Sequence, residues 1–432
     1  MSILPPPSPT PAAGRAALKA LLADRSLLPA LKALHSELGD TFDLAFPGFR
    51  AVVLAGPEAS RFVLVEARRS LVWRNPADPV TKLLRHGLLV EDGESHDELR
   101  RKISPSLHKR MLPVYLGKML RSTDQVMDTW EPGHSLVMLV EMRRVALLII
   151  IDSLFDVDFS PDLDRLFPAI LRMLAFISPG VWLVWPAAPR LGFKRAIKQV
   201  DEYLYGLSSA RRASGSVGED MLSKLVADPE MSDDLIRDQM LTMLIAGHDT
   251  STALLAWALG LMAKHPQVMQ RTVAEIDRVI GKELPGLEHM DQLQYLGQVI
   301  DETLRIYPPI HIGNRQMAED LDFQGYRLPA GRRLMYSIYA THHDGKHWSN
   351  PERFDPDRFA PGQKPQPYTY VPFGGGPRNC IGAAFAQVEA KIVLARILQR
   401  FELKLLQSDF RVYMGATLEP RPGVIMEASP RR

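Results

Sequence analysis

One residue carries chemistry that nothing else in the chain duplicates: Cys380 is its single cysteine. It sits in the run Tyr370-Val371-Pro372-Phe373-Gly374-Gly375-Gly376-Pro377-Arg378-Asn379-Cys380-Ile381-Gly382. Directly after it, Phe385, Val388, Ile392, Ala395 and Leu398 recur at helical spacing. Three adjacent glycines let the backbone turn tightly and approach a flat, bulky object without side-chain clash. A sulfur at the start of a helix meets unpaired amide groups, which stabilise a thiolate and draw electron density from it. An axial iron ligand needs both properties, since thiolate donation favours oxygen–oxygen cleavage. A lone cysteine is also a common core hydrophobe, so the residue by itself leaves both roles open. Arg378 adds a guanidinium able to hold a carboxylate bidentately.

A second chemical cluster interrupts an apolar helix. Residues 232–264 open with Ser232 as N-cap and with Asp233 and Asp234 in the first turn. Met240-Leu241-Thr242-Met243-Leu244-Ile245-Ala246 then gives way to Gly247-His248-Asp249-Thr250-Ser251-Thr252 before apolar residues return. A helix apolar on nearly every face belongs inside a large protein, where a polar cluster is costly unless every group finds a partner. Gly247 lowers helix propensity by about 1 kcal/mol relative to alanine and admits something close to the backbone. Thr250 can donate and accept, and Asp249 can relay a proton. A purely structural alternative is a kinked core helix, with Thr250 bonded back to a carbonyl and Asp249 capped or ion-paired.

Taken together, Phe373, Gly376, Arg378, Cys380 and Gly382 match the haem-binding signature of the cytochrome P450 family. Ala246-Gly247-His248-Asp249-Thr250-Ser251 resembles that family's oxygen-activation motif, and the resemblance spans nearly the whole chain. It implies a mainly α fold with small β-sheets, holding haem b between the long central helix and the cysteine loop. It also implies a monooxygenase that inserts one atom of O2 into a hydrophobic organic substrate, by hydroxylation or epoxidation. Cys380 would then ligate the haem iron, while Asp249 and Thr250 supply protons and Gly247 opens the groove for oxygen.

The resemblance assigns further roles. His96 and Arg100, four apart on one helix face, resemble propionate ligands, as do Arg315 and Arg378. Glu302 and Arg305 resemble a buried structural pair joined by an arginine of a Pro-Glu-Arg-Phe element, here Arg353. Leu83, Leu84, Met173, Phe176, Ala246, His248, His311 and Ile312 are the expected pocket residues. Electrons would come from NAD(P)H through a separate reductase and a ferredoxin or flavodoxin-type donor. The basic cluster Arg100, Arg101, Lys102, Lys109 and Arg110 is the candidate docking face. Two other functions fit the same residues: a peroxide-using, isomerising or dehydrating haem-thiolate enzyme, and a non-catalytic haem-containing sensor or binding protein.

Holding such residues in place takes a large body. The chain has 432 residues, 46% of them hydrophobic, enough for an extensive core. A formal net charge of +2 gives no reason to expect a nucleic-acid partner. One cysteine permits neither an intramolecular disulfide nor an iron–sulfur cluster. Residues 1–14 read as a proline-rich lead-in without the apolar run of a signal or anchor, and residues 15–432 as one domain. The expectation is a cytoplasmic monomer without a transmembrane anchor. The apolar stretch 163–186 is expected to be buried or to line the substrate site, with peripheral membrane contact as the alternative.

Periodicity predicts helices near 15–38, 96–130, 138–156, 162–178, 191–212, 219–227, 232–264, 266–280, 289–306 and 382–401. It predicts a hairpin over 41–55 and, later in the chain, strands only at 322–328, 332–338 and 402–427. Without regular strand–helix alternation, a doubly wound sheet or a barrel is excluded. Residues 211–218 read as a mobile loop.

Overall fold

The helix Asp233–Lys264 runs through the middle of the protein and organises the rest. Ser232 caps it by accepting the Leu235 amide at 3.2 Å, and Pro266 stops it by opening the next helix, Pro266–Val279. Its 32 residues are buried on almost every face, so it can lie only between other layers. The equally apolar helix Met138–Phe155 packs along it, and Phe193–Ser214, Gln294–Ile306 and Ala383–Arg400 complete the surround. The computed structural model describes residues 4–24, 27–46, 49–179, 190–215, 218–407 and 409–431.

The sheets are small and peripheral. The largest has five strands in the order Thr41–Phe46, Phe49–Leu54, Arg333–Ser337, Ile312–Met317 and Leu71–Val72. All its pairings are antiparallel except Phe49–Leu54 with Arg333–Ser337, which is parallel. A three-stranded sheet joins Ser135–Val137, Ile425–Pro430 and Phe401–Leu405. The hairpin Arg411–Met414 with Leu418–Arg421 lies against the central helix. The fold is therefore mainly α with small β-sheets, as expected.

Where boundaries differ, the causes are local. Helix starts at Pro11, inside the expected lead-in, because proline is tolerated in a first turn and Thr10 accepts the Ala13 amide at 3.2 Å. The segment 96–130 is broken at His108, whose backbone is extended, into Gly93–Leu107, a tight turn and Leu112–Met127. Ile312–Met317 is a strand that periodicity did not indicate. It contains Gly313, Asn314 and Gln316, and pairing with Arg333–Ser337 overrides its weak propensity. Of the stretch 163–186, Ser160–Ile177 holds the helical part, while Val181, Trp182, Leu183, Val184, Trp185 and Pro186 lie outside the described residues. Arg211–Ser214 of the expected loop end a helix, and Ser216 and Val217 lie outside the described residues. Among the described residues, no helix is long and apolar enough to cross a membrane.

Candidate active site

The cysteine loop is anchored at both ends. The Val371 amide donates to His342 Nε2 at 2.9 Å, and the Cys380 amide donates to the Phe373 carbonyl at 2.8 Å. Gly374 and Gly376 take φ of 70° and 62°, a region that favours glycine. At Gly376 a Cβ would also collide with the Leu64 carbonyl, so the loop closes only on a bare backbone. Cys380 precedes the helix rather than starting it: Gly382 is the N-cap of Ala383–Arg400. The Gly382 amide nevertheless hydrogen-bonds the sulfur. Burial raises the thiol's pKa, while that amide and the Arg100 charge pull it down. The net rise favours the neutral thiol, and a cation bound at the sulfur would shift it towards the thiolate.

On the central helix, burial is interrupted where the sequence is polar. Ala246 is exposed and Gly247 and Thr250 are half-buried, whereas Ile245, His248, Asp249 and Ser251 are buried. Ala246 and Thr250 are one turn apart and share a face, and the Thr250 hydroxyl donates to the Ala246 carbonyl at 2.8 Å. Asp249 does not bond to Thr250. Its Oδ1 accepts from Arg143 at 3.0 Å and its Oδ2 from Thr417 at 2.9 Å. Burial raises the Asp249 pKa against the pull of Arg143. The expected buried Asp249-Thr250 pair is thus one buried acid and one accessible alcohol, facing different ways.

Gly247 serves packing. A Cβ there would lie 2.7 Å from Ile150 Cδ1, so the missing side chain admits the neighbouring helix. His248 also turns away from the site. Its ring is wholly buried, Nδ1 donates to the Leu244 carbonyl at 2.6 Å, and burial depresses its pKa to about 3.

Two elements that the sequence reading did not single out tie these walls together. Ser251 Oγ is 2.6 Å from Glu389 Oε2, joining the central helix to the cysteine helix beside Thr250. Burial pushes Glu389 up to about 8, so this carboxyl is largely protonated at neutral pH. A carboxylate between Phe385 and Ile392 on an apolar stripe was its signal in the sequence. The other is Arg358. Glu302 and Arg305 are fully buried and paired at 2.7 and 2.8 Å, and Arg358 Nε reaches Glu302 Oε1 at 3.3 Å. Arg353, assigned that role from Pro351-Glu352-Arg353-Phe354, is exposed and contributes only its carbonyl to Arg305. The second segment, Pro356-Asp357-Arg358-Phe359, forms a tight turn that aims its arginine inward.

The expected propionate ligands gather near the cysteine loop. His96 is buried with Nδ1 2.8 Å from Asp97, and Arg100 donates to Asn379 at 2.8 Å. Arg378 pairs with Asp92 at 2.8 Å and donates to the Glu91 carbonyl, and burial pulls it down to about 10. Arg315 sits over the rings of Trp73 and Tyr336, at 5.1 and 5.8 Å, and among the described residues has no acidic partner within ion-pair distance. Burial disfavours its charge. Cys380 and Arg315 are both enclosed enough for burial to shift them, yet both keep accessible surface. A buried guanidinium lacking a carboxylate, a thiol that a cation would shift towards the thiolate and a glycine cradle fit a haem with its propionates.

Most of the expected substrate-pocket residues are buried. Leu83, Leu84, Met173 and His311 are buried, and the Leu83 carbonyl accepts from Arg237 at 3.2 Å. Phe176 stacks on Phe193 at 3.7 Å. Ile312 is half-buried against small sheet-side clusters. Of those eight residues, Ala246 is the exposed one, because the apolar side chains elsewhere close on one another.

Known proteins share this fold. The family described as Cytochrome P450 matches residues 4–425. Putative cytochrome P450 139 of Mycobacterium tuberculosis is 31% identical over 421 residues, covering 92% of this chain and 96% of that protein. Cyclooctatin synthase of Streptomyces melanosporofaciens is 30% identical over 444 residues, covering 99% and 94%. The structure of the retinoic acid-bound cyanobacterial CYP120A1 superposes with a TM-score of 0.87 at 25% identity, covering 100% of both chains. The crystal structure of the cytochrome P450DA heme domain gives 0.88 at 27%, covering 100% of this chain and 99% of that one. With the family matched over nearly its full length and the fold superposing end to end, this chain belongs to the cytochrome P450 family.

Proposed function

We propose that this protein is a haem-thiolate monooxygenase that oxygenates a hydrophobic organic substrate, drawing electrons from NAD(P)H through separate redox proteins. The observation that carries the reading is the Ser251–Glu389 bond of 2.6 Å, which pins the helix following Cys380 to the helix presenting Thr250. In this reading, sulfur and hydroxyl stand on facing walls of one site. Cys380 would ligate the iron, with Arg315, Arg378, Arg100 and His96 receiving the propionates. When bound, haem supplies the oxygen activation and the oxidising power.

The chain's own groups supply placement and protons. Thr250 presents an accessible hydroxyl that is already oriented by the Ala246 carbonyl. Asp249 holds its carboxyl in reserve behind it, and Ala246 leaves the adjacent wall apolar. A surface groove of about 590 Å³ beside the cysteine loop is lined by Arg100, Arg101, His108, Arg110 and Pro377, with Arg68 paired to Asp97 at its edge. Its charge suits an acidic ferredoxin or flavodoxin-type donor, although Lys102, also expected there, pairs with Asp228 and Glu230 instead. Apolar ligands are consistent with the retinoic acid-bound structure.

The test joins spectroscopy to turnover. Purified holoprotein is expected to show the reduced carbon-monoxide absorption of thiolate ligation, and Cys380→Ser to lose it. With a ferredoxin and its reductase, NAD(P)H-dependent oxygenated product is expected from hydrophobic substrates selected by spectral binding. An unchanged carbon-monoxide spectrum in Cys380→Ser, or product formed only with added peroxide, would overturn the reading.

A further inference from the structure

Asp92 stands where a helix-capping acid would, immediately before the helix Gly93–Leu107, yet its carboxylate makes no capping bond to that helix's amides. It turns instead to a different part of the chain. Oδ1 lies 3.0 Å and Oδ2 2.9 Å from the Trp73 amide nitrogen, Oδ2 also accepts the Arg74 amide at 2.8 Å, and Oδ1 accepts from Arg378 Nη2 at 2.8 Å. One carboxylate therefore joins the segment 71–74 to the cysteine loop. With 24% of its side chain and 14% of that of Arg378 exposed, water competes only in part for these charge-assisted bonds.

Each limb ends on a guanidinium suited to a cofactor carboxylate. Both hydrogen bonds that Arg378 makes among the described residues use Nη2, to Asp92 and to the Glu91 carbonyl, so Nε and Nη1 remain for a carboxylate. On the other limb, the two-residue strand Leu71–Val72 pairs antiparallel with Met317 and Gln316, and the next step along that ladder brings Trp73 to Arg315. The Trp73 ring lies 5.1 Å from that guanidinium and the Tyr336 ring 5.8 Å. Tyr336 fits because its cross-strand partner is a glycine: a Cβ on Gly313 would collide with the ring. Asp92 also lies close enough to favour the charge on Arg315, which burial disfavours.

We propose that Asp92 is the positioning residue of the haem-carboxylate wall, aiming Arg378 by a direct ion pair and Arg315 through the backbone of Trp73, whose ring packs on it. The proposal rests on the haem-binding part of the reading above and not on turnover. Guanidiniums held in one geometry lose less freedom on meeting a carboxylate, so cofactor retention gains from a residue that need not touch the cofactor. The same negative charge, enclosed beside the cofactor's carboxylates, also holds down the iron's reduction potential.

The experiment follows haem release from holoprotein into excess apomyoglobin by the Soret band, with the ferric–ferrous potential and the urea midpoint read on the same samples. Asp92→Asn keeps an acceptor oxygen for the Trp73 and Arg74 amides but loses the charge facing Arg378. It is expected to release haem about tenfold faster and to raise the potential. Asp92→Glu, which restores the charge, should recover part of both. In an Arg378→Gln background the asparagine substitution should add less than about twofold, because the limb it acts through is gone. Trp73→Leu tests the other limb, and carries the test if Asp92→Asn fails to fold: release about threefold faster is expected, an effect that should vanish in an Arg315→Gln background. Unchanged release in Asp92→Asn, or effects that multiply independently in either double variant, would overturn the positioning role. So would faster release that merely follows the urea midpoint while the potential stays put. Wild type without haem would overturn the haem reading and this inference together. Haem-bound wild type that never oxygenates a substrate would remove only the monooxygenase reading, leaving the release rates to decide the role of Asp92.

Discussion

Replacing Arg358 and Arg353 separately by alanine tests the bracing of the haem-side core. Arg358 donates to Glu302 at 3.3 Å, to Ser349 at 3.2 Å and to the Asn350 carbonyl at 3.0 Å. Arg358 is 11% and Glu302 0% exposed at the side chain, so water replaces little of what is lost. Glu302 keeps Arg305 and the Asp355 amide, so it is weakened rather than abandoned. Three bonds at about 1 kcal/mol each predict a loss of about 3 kcal/mol. The exposed Arg353 side chain has no hydrogen bond among the described residues, and its removal should cost less than about 0.5 kcal/mol. Arg305→Ala strands a buried carboxylate and should cost about 3–5 kcal/mol. Because an unfolding entropy of about 2.1 cal/mol/K per residue makes 3 kcal/mol only a few degrees in a chain this long, urea titration is the sharper measurement. Haem retention is read alongside from the Soret band. Equal losses for Arg353→Ala and Arg358→Ala, or none for Arg358→Ala, would refute the assignment of Arg358.

Gly247→Ala improves helix propensity by about 1 kcal/mol yet places a methyl 2.7 Å from Ile150 Cδ1, so a net destabilisation of about 1–2 kcal/mol is expected. Ile150→Val in the same chain should recover part of it, and urea curves for the single and double variants measure this. His342 donates from Nδ1 to the Arg305 carbonyl at 3.3 Å and accepts the Val371 amide at Nε2, so it bridges two segments only when neutral. Burial depresses its pKa from 6.5 to about 3. Because the unfolded chain takes up the proton first, its stabilising effect is complete above about pH 6.5 and declines as pH falls towards 3. At pH 5 that loss is about 2 kcal/mol. His342→Gln should remove this part of the acid slope; identical slopes from pH 7.5 to 5 would show that the imidazole does not titrate as described.

Much of this architecture is local and so was legible in the chain. The glycine run before Cys380 and the apolar helix broken by polar residues each depend on neighbours a few positions away, where backbone sterics and periodicity act. The Glu302–Arg305 pair is likewise three residues apart on one helix. Arg358 is an intermediate case. Two Pro-x-Arg-Phe segments lie five residues apart, and composition cannot say which turn points its arginine inward.

What folding alone decided is how the polar groups are shared. Asp249 meets Arg143, 106 positions earlier, and Thr417, 168 positions later. Glu419 reaches the same guanidinium from a hairpin near the C-terminus. Likewise, the space beside Gly247 belongs to Ile150, and Leu83, Leu84, Met173 and His311 fill the core. Residue types and short spacings determine which chemistry a segment can support and which periodic element it forms. Which enclosed charge faces which, and which apolar side chain keeps an accessible surface, depends on close packing between elements distant in the chain, where a displacement of an ångström changes the partner.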